Sequence, residues 1–262
     1  MVNVLLGRED VNPNKTDSYG RTPLTSAARS GHEGMVKILL RREEVNPDKR
    51  DIWGNTPLSY AAWFGCKGGV KVLLERKEVN PNRTSNRGRT PLSHAAERGY
   101  EDVVKILLGR EAVDPDKPDN DGYTPLSCAA YYGHEGVVKI LLKTNKVNHN
   151  MPNKHGRTPL SYAAGNGHEG VVKILLGPRE ANPNKADNYG QTPLMYAARH
   201  GHQKVIELLQ LHKAVAHGGP SALGNPTSEK SPSRSPINAR SPWKRFLERV
   251  ISARKKSQVV RS

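Results

Sequence analysis

The chain has 262 residues and a formal net charge of +16; 35% of it is hydrophobic, with 19 prolines, 24 glycines and only two phenylalanines. Such a composition is unlike a compact enzyme built on a large aromatic core, and it fits many short elements joined by turns. No window holds the roughly eighteen apolar residues of a membrane span, and the opening MVNVLLGRED is too short and too acidic for a secretory signal. Cys66 and Cys128 lie far apart and follow no metal or disulfide spacing. A cytoplasmic protein with reduced thiols is expected.

The charge is uneven. Residues 1–212 carry 30 basic and 23 acidic side chains, whereas residues 213–262 carry 11 and 2. More than half of the excess therefore sits in the last fifth of the chain, which separates a mildly basic body from a strongly basic tail.

In chain order, residues 1–16 come first. The stretch VNVLL matches Val36 to Leu40 further on, so this segment reads as the second helix and linker of a partial repeat, without the first helix that would cover it. A longer parent protein, or a shortened reading of its gene, is expected from that apolar stub.

Residues 17–212 then repeat one sentence six times. Thr-Pro-Leu begins at Thr22, Thr56, Thr90, Thr124, Thr158 and Thr192, each 34 residues after the last. Gly20 to Gly190, the Ala pairs from Ala27-Ala28 to Ala197-Ala198, and a second glycine from Gly31 to Gly201 keep the same register. Threonine before proline places a side-chain acceptor at the N-cap and a residue without an N–H at the first helical position, so TPLSYAA opens a short helix. The second glycine supplies the left-handed turn that ends it. HEGVVKILL then spaces Val171, Val172, Ile174, Leu175 and Leu176 for a second helix. His32, His134, His168 and His202 recur at the start of these second helices and are expected to cap them. Between units a stretch rich in Asn, Pro, Asp and Gly, such as NPNKADNYGQ, reads as an extended finger with a tight turn. One helix pair cannot bury both its faces, but stacked pairs can, through Leu24, Ala27, Ala28, Val36, Leu39, Leu40 and their equivalents.

With these motifs the chain resembles the ankyrin repeat family, whose pattern D-x-x-G-x-T-P-L, A-A, G-H and V-V-x-x-L-L recurs as DNYGQTPLMYAARHGHQKVIELL and five relatives. The resemblance covers residues 1 to about 212, and the wording NPNK and GHEGVVKILL is most similar to long fungal arrays. It implies an all-α, helix-turn-helix solenoid with finger loops, and a binding groove lined by the fingers and first helices. In fungal proteins such arrays often follow a nucleoside-triphosphatase or phosphorylase-like domain. Two departures stand out: the period exceeds the usual of about 33 by one, and the histidine often found after T-P-L is Thr25, Ser59, Ser93, Ser127, Ser161 or Met195 here. The second departure removes the hydrogen bond that histidine is expected to make to the finger base.

At the far end, Gln210 replaces the last leucine of the repeat, and Lys204 and Glu207 add polarity, as in a capping unit that faces water. Residues 213–240 are rich in Gly, Ser and Pro and are expected to be a disordered linker. Residues 241–256, SPWKRFLERVISARKK, place Trp243, Phe246, Leu247, Val250 and Ile251 on one face opposite Lys244, Arg245, Arg249 and Arg254. A basic amphipathic helix is expected there, suited to an anionic membrane, a partner's groove or nucleic acid, and residues 257–262 form a disordered end. That tail raises the nucleus as an alternative location.

No Walker loop, HExxH or GxSxG occurs, and DPDKPDNDGYTPLSC fails as a calcium loop because Lys117 and Cys128 stand where its first and twelfth ligands belong. No enzyme activity, metal, cofactor or small-molecule substrate is expected. The repeated letters serve folding, so function is sought where the copies differ. Eleven of the twelve aromatic side chains of the array fall at such variable or finger positions. The candidate partner-binding residues are Trp53, Tyr60, Trp63, Phe64, His94, Tyr123, Tyr131, Tyr132, Tyr162 and Tyr196, with the groove centred on Trp63, Phe64, Tyr131 and Tyr132. Arg83, Arg87 and Arg89 make one finger basic and Asp114, Asp116, Asp119 and Asp121 the next acidic, an alternation expected to steer a complementary partner. The expected role is a scaffold or adaptor that binds an intracellular protein. The alternatives are nucleic-acid or anionic-membrane binding led by Trp243, Lys244, Arg245, Phe246, Arg249 and Arg254, and a recognition fragment of a larger signalling nucleoside-triphosphatase.

Overall fold

A computed structural model describes residues 12–177 and 181–217, with side chains up to His212. Among the described residues there are twelve helices and no strand. They alternate as inner and outer helices. The inner helices are α1 (Pro23–Arg29), α3 (Pro57–Trp63), α5 (Pro91–Arg98), α7 (Pro125–Tyr132), α9 (Pro159–Gly165) and α11 (Pro193–Arg199). The outer helices are α2 (Glu33–Leu40), α4 (Lys67–Leu74), α6 (Glu101–Leu108), α8 (Glu135–Leu142), α10 (Glu169–Leu175) and α12 (Gln203–His217). Each inner helix packs on the next inner helix, each outer on the next outer, and each pair on itself. The last helix continues to His217, beyond the residue 212 at which composition alone ends the array.

Every inner helix starts as its sequence dictates. The hydroxyl of Thr22, Thr56, Thr90, Thr124, Thr158 or Thr192 accepts the backbone N–H three residues on, at 3.1–3.3 Å. Proline follows at the first helical position. In five of the six units a second hydroxyl stands where the family's histidine is missing and closes on the cap, as where Thr56 Oγ1 and Ser59 Oγ lie 3.1 Å apart, both buried; in the sixth the residue is Met195. The finger base is held by another group. Asp51 Oδ1 accepts the N–H groups of Trp53 and Asn55, and Asp17, Asp119, Asn153 and Asp187 do the same in their own turns.

Three of the second-helix histidines do not cap through their side chains. His32, His134 and His168 occupy the N-cap position, yet none of them makes a side-chain cap bond among the described residues. Instead the Nε2 atoms of His134, His168 and His202 lie 2.9–3.0 Å from the carbonyls of Glu97, Tyr131 and Gly165, each 37 residues upstream in the preceding unit. The imidazole thus ties two units together. Gly99 shows how tight that joint is: its φ is +76°, and a Cβ there would stand 2.6 Å from His134 Nδ1.

The core is a stack of the repeated letters. Leu24, Leu58, Leu92, Leu126 and Leu160 of the inner helices, and Leu39, Leu73, Leu107 and Leu141 of the outer ones, are all buried. Each contributes about 1.5–3 kcal/mol relative to exposure, and each does so against a neighbour's equivalent. Val45, Val79, Val113 and Val147, just before the fingers, are buried against the same stack.

Fingers are joined edge to edge. Ile52, Asn86, Asn120, Lys154 and Asn188 donate backbone N–H to the carbonyls of Tyr19, Trp53, Arg87, Asp121 and His155 in the finger before. Gly88 accommodates this approach, since a Cβ on it would lie 2.6 Å from Asn120 N at a φ of +77°. A second joint recurs at Asn14, Asp48, Asn82, Asp116 and Asn150. Asn14 Nδ2 donates to the Glu44 carbonyl and its Oδ1 accepts from Asn46 N; Asn82 does likewise with Ala112 and Asp114. Asp48 and Asp116 accept the backbone N–H of Asn80 and Asn148 through Oδ2, but among the described residues the Oδ1 of each is buried without a partner. A carboxylate has lone pairs where the amide has a donor, so it cannot make the second bond.

Burial accordingly pushes both carboxyls above their ordinary values, against the pull of those N–H groups. A carboxyl raised in this way stabilises the fold below its unfolded pKa, and that contribution is lost as pH rises through the folded value. At neutral pH both aspartates are therefore a cost. Asp116→Asn, which restores the amide of Asn82, is expected to stabilise the array by about 1 kcal/mol at pH 7 and by less near pH 4. Thermal unfolding followed by circular dichroism at both pH values checks this, and equal effects at the two would contradict it.

Candidate binding groove

The side chains that differ between units divide into two groups. Of those two residues after the Leu of T-P-L, the three tyrosines reach the finger. The hydroxyl of Tyr60 donates to Asp51 Oδ2 at 2.6 Å, and that of Tyr196 donates to Asp187 Oδ2 at 2.5 Å. Asn153 Nδ2 donates to the hydroxyl of Tyr162 at 2.7 Å. These tyrosines are struts between a helix and its own finger. Tyr162 and Tyr196 are only 5% and 6% exposed, which removes them from the expected binding surface. Burial, then the Asp51 carboxylate, drives the Tyr60 phenol up to about 12, so it stays a hydrogen-bond donor at any physiological pH. At Asp187 burial alone would raise the carboxyl, but the Tyr196 hydroxyl, two backbone N–H groups and Arg157 outweigh it and hold the carboxyl below its usual value.

His94 takes the strut position in the third unit, where Ser85 replaces the aspartate of the finger. It is 5% exposed and sits with its ring 4.6 Å from that of Trp63, edge on. Burial, and then the charge of Arg89, lower its imidazole to about 3, so it is neutral, and its Nδ1 is buried without a partner among the described residues. His94 is thus a wall beneath Trp63 and not an open contact. In the fourth unit Cys128 holds the same position, buried, its thiol raised to about 12 by desolvation and so unreactive.

The second group, near the ends of the inner helices and on the fingers, meets solvent. Trp53, Phe64, Tyr131 and Tyr132 are 40–50% exposed, and Tyr60, Trp63 and Tyr123 are partly so. They gather on the inner-helix and finger side. Trp53 stacks on Tyr19 at 5.5 Å between centroids, Tyr131 meets Tyr132 at 4.9 Å, and Tyr123 and Tyr131 both meet the buried ring of Tyr162. Two adjoining clefts open here. One, of about 300 Å³, is lined by Arg21, Arg29, Trp53, Asn55, Ser59, Tyr60, Trp63, Phe64 and His94. The other, of about 450 Å³, shares Trp53, Asn55, Trp63 and His94 and runs on to Arg87, Arg89, Glu97 and Tyr132. Trp63 therefore stands in the walls of both.

The charged alternation of the fingers is mostly internal. Arg89 pairs with Asp119 at 2.7 Å and with Glu97, and Arg83 lies 3.5 Å from Asp48. Asp114 and Asp116 accept backbone N–H groups within and between fingers. The expected steering pattern is consequently a set of inter-finger braces, because fingers stacked this closely neutralise each other's charge. Of the arginines that line the clefts, the sequence marks Arg87 only as finger charge and gives no reason to single out Arg21 or Arg29, since an arginine on a polar loop or helix end is ordinary. A third cavity, of about 340 Å³, opens among the outer helices at Lys139, Leu142, Lys143, His149, Ile174, Leu175 and Gly177, where the sequence shows only periodic apolar positions. The tail candidates Trp243, Lys244, Arg245, Phe246, Arg249 and Arg254 lie outside the described residues. Among the described residues no three metal-ligating side chains converge, and no helix is long and apolar enough to cross a membrane.

A family model described as ankyrin repeats, three copies, matches residues 1–85, 77–151 and 142–218. The chain belongs to the ankyrin repeat family. Ankyrin repeats are generally protein–protein interaction modules, and the fold is typically a non-catalytic scaffold. No curated protein matches the chain. In this ankyrin array the repeated letters stack the units and the variable ones face outward, with the correction that one variable column, Tyr60, Tyr162 and Tyr196, braces the fingers. Tyr196→Phe, which removes the hydroxyl donor from Asp187 Oδ2 and leaves Arg157 as its remaining partner there, is expected to cost about 1–3 kcal/mol. Tyr132→Ala, at an exposed ring, is expected to change stability by about 0.5 kcal/mol or less. Urea unfolding of the two variants measures both, and a reversed order would show the roles to be misassigned.

Proposed function

We propose that this array is a non-enzymatic adaptor that binds an intracellular protein through the groove formed by its fingers and inner helices, centred on Trp53, Trp63, Phe64, Tyr131 and Tyr132. The observation that carries the reading is the gathering of partly exposed aromatic rings around two adjoining clefts that share Trp63. The stacked core of this chain is built from Leu, Val and Ala, so folding does not explain why these rings are here. Aromatic side chains give large contact area at low entropic cost and dominate the energetics of protein interfaces. Rings already held against one another, such as Tyr131 on Tyr132, lose little freedom when a partner covers them.

The strut tyrosines support the same reading indirectly. Tyr60, Tyr162, Tyr196 and the finger braces stiffen the wall from which the exposed rings project, and a rigid wall is what a binding surface of this kind requires. The test is an affinity capture with the full chain as bait, compared with a Trp63→Ala, Tyr131→Ala double variant of equal thermal stability. Partners retained by the parent are expected to be lost from the variant, while a Tyr100→Ala change, outside the groove, leaves them in place. A partner list unchanged by the double variant would count against the groove.

A further inference from the structure

The cationic side chains around the first cleft are not equivalent. Arg21 is paired with Asp17 at 2.7 Å, and Arg89 of the adjoining cleft is paired with Asp119 and Glu97. The nearby carboxylates are likewise engaged: Asp51 accepts the Tyr60 hydroxyl and two backbone N–H groups, and Glu97 accepts from Arg89. Arg29 and Arg98 differ. Each lays its guanidinium on an aromatic wall of the cleft, Arg29 at 5.3 Å from the centroid of Phe64 and Arg98 at 5.1 Å from that of Trp63. Among the described residues neither has an ion pair, and Arg87 in the adjoining cleft has none either. The charge left uncompensated at the aromatic cleft is therefore positive.

We propose that the groove takes an acidic segment of a partner protein, an extended peptide that sets an apolar side chain against Trp63 and places carboxylates on the guanidiniums of Arg29 and Arg98. This rests on the groove reading given above and names the chemistry of the partner. A guanidinium stacked on a ring keeps its N–H edges outward, where a carboxylate can be met by two parallel hydrogen bonds. The stacking also holds the arginine in place before binding, which lowers the entropy lost on contact. A cleft of about 300 Å³ is of the size to receive one large apolar side chain, and its walls are mostly rings. A single-stranded nucleic acid is the weaker occupant: the rings of Phe64 and Trp63 already carry guanidiniums where bases would stack, and Arg21, Arg83, Arg89 and Arg157 of the fingers are bound to carboxylates instead of forming a free track for phosphates.

The test pans a random-peptide display library on the full chain and titrates the most enriched peptide, labelled with fluorescein, by anisotropy. The enriched sequences are expected to carry Asp or Glu beside Leu or an aromatic residue. An Arg29→Glu, Arg98→Glu double variant is expected to weaken the titrated peptide by about tenfold or more, and Arg29→Gln, Arg98→Gln by less, with unchanged circular dichroism in both. The neutral pair serves if the charge reversal disturbs folding. Enrichment of neutral or basic peptides, or no enrichment above the blank surface, would overturn the proposal. So would acidic peptides indifferent to both pairs of substitutions, as capture by the basic tail would produce, or a labelled oligothymidylate that displaces the peptide at equal concentration. Loss of binding on Trp63→Ala with Tyr131→Ala, but not on charge reversal, would remove only the acidic chemistry. Indifference to the aromatic substitutions as well would remove the groove itself.

Discussion

Everything in this molecule depends on the fact that a pair of helices seven or eight residues long cannot bury both of its faces alone. Leu58 is sealed only because Leu24 and Leu92 lie on either side in equivalent positions, and the same holds along the outer helices from Leu39 to Leu141. The alanine pairs keep the helices close enough for that contact. Every junction is tied again by a backbone N–H group passing from finger to finger, and three of them by an imidazole reaching 37 residues back. Among the described residues the fold is a chain of neighbour contacts, and its core is the stack itself.

That arrangement sets where binding is possible. Stacking consumes the repeated side of each helix and leaves the finger side of the inner helices as the surface on which residues are free to vary. Variation there is still constrained, because a finger must be braced against its own helix. Where Asp51 and Asp187 stand in the turn, a tyrosine nine residues on supplies the hydroxyl; Asn153 reverses the bond and donates to Tyr162. What remains after bracing is the set of rings at Trp53, Trp63, Phe64, Tyr131 and Tyr132 and the arginines that lie on or beside them. Side chains that differ between copies thus serve two purposes, and only burial tells them apart.

Much of the fold is legible in the sequence because its determinants are local. The threonine cap, the proline after it and the glycine at positive φ each act within one turn, so the six inner helices and their ends can be read directly. The role of the second-helix histidines is not legible, because their acceptor lies one full unit away, a distance at which sequence offers no pairing. Tyr162 and Tyr196 elude a reading by variability for a related reason: a position that varies need not be exposed. A signal is nonetheless present, since Asp or Asn occurs nine residues before each strut tyrosine and Ser85 precedes His94. The charged fingers mislead because the pairs Arg89–Asp119 and Arg157–Asp187 span 30 residues and neutralise charges that a linear count leaves open.

The most direct test of this account deletes one complete unit, residues 124–157, and compares urea unfolding of the shortened and parent chains. Tyr123 then precedes Thr158 in the register it holds with Thr124, and Asp119 gains Tyr162 as the tyrosine nine residues on, so the new junction is built from the same letters as the old ones. Stacking by neighbours predicts that the shortened chain folds with the same helical signal per residue and unfolds cooperatively, at a lower urea midpoint and with a smaller slope, because one layer of contacts is gone. A shortened chain that fails to fold, or one that unfolds at the parent's midpoint with the parent's slope, would contradict it.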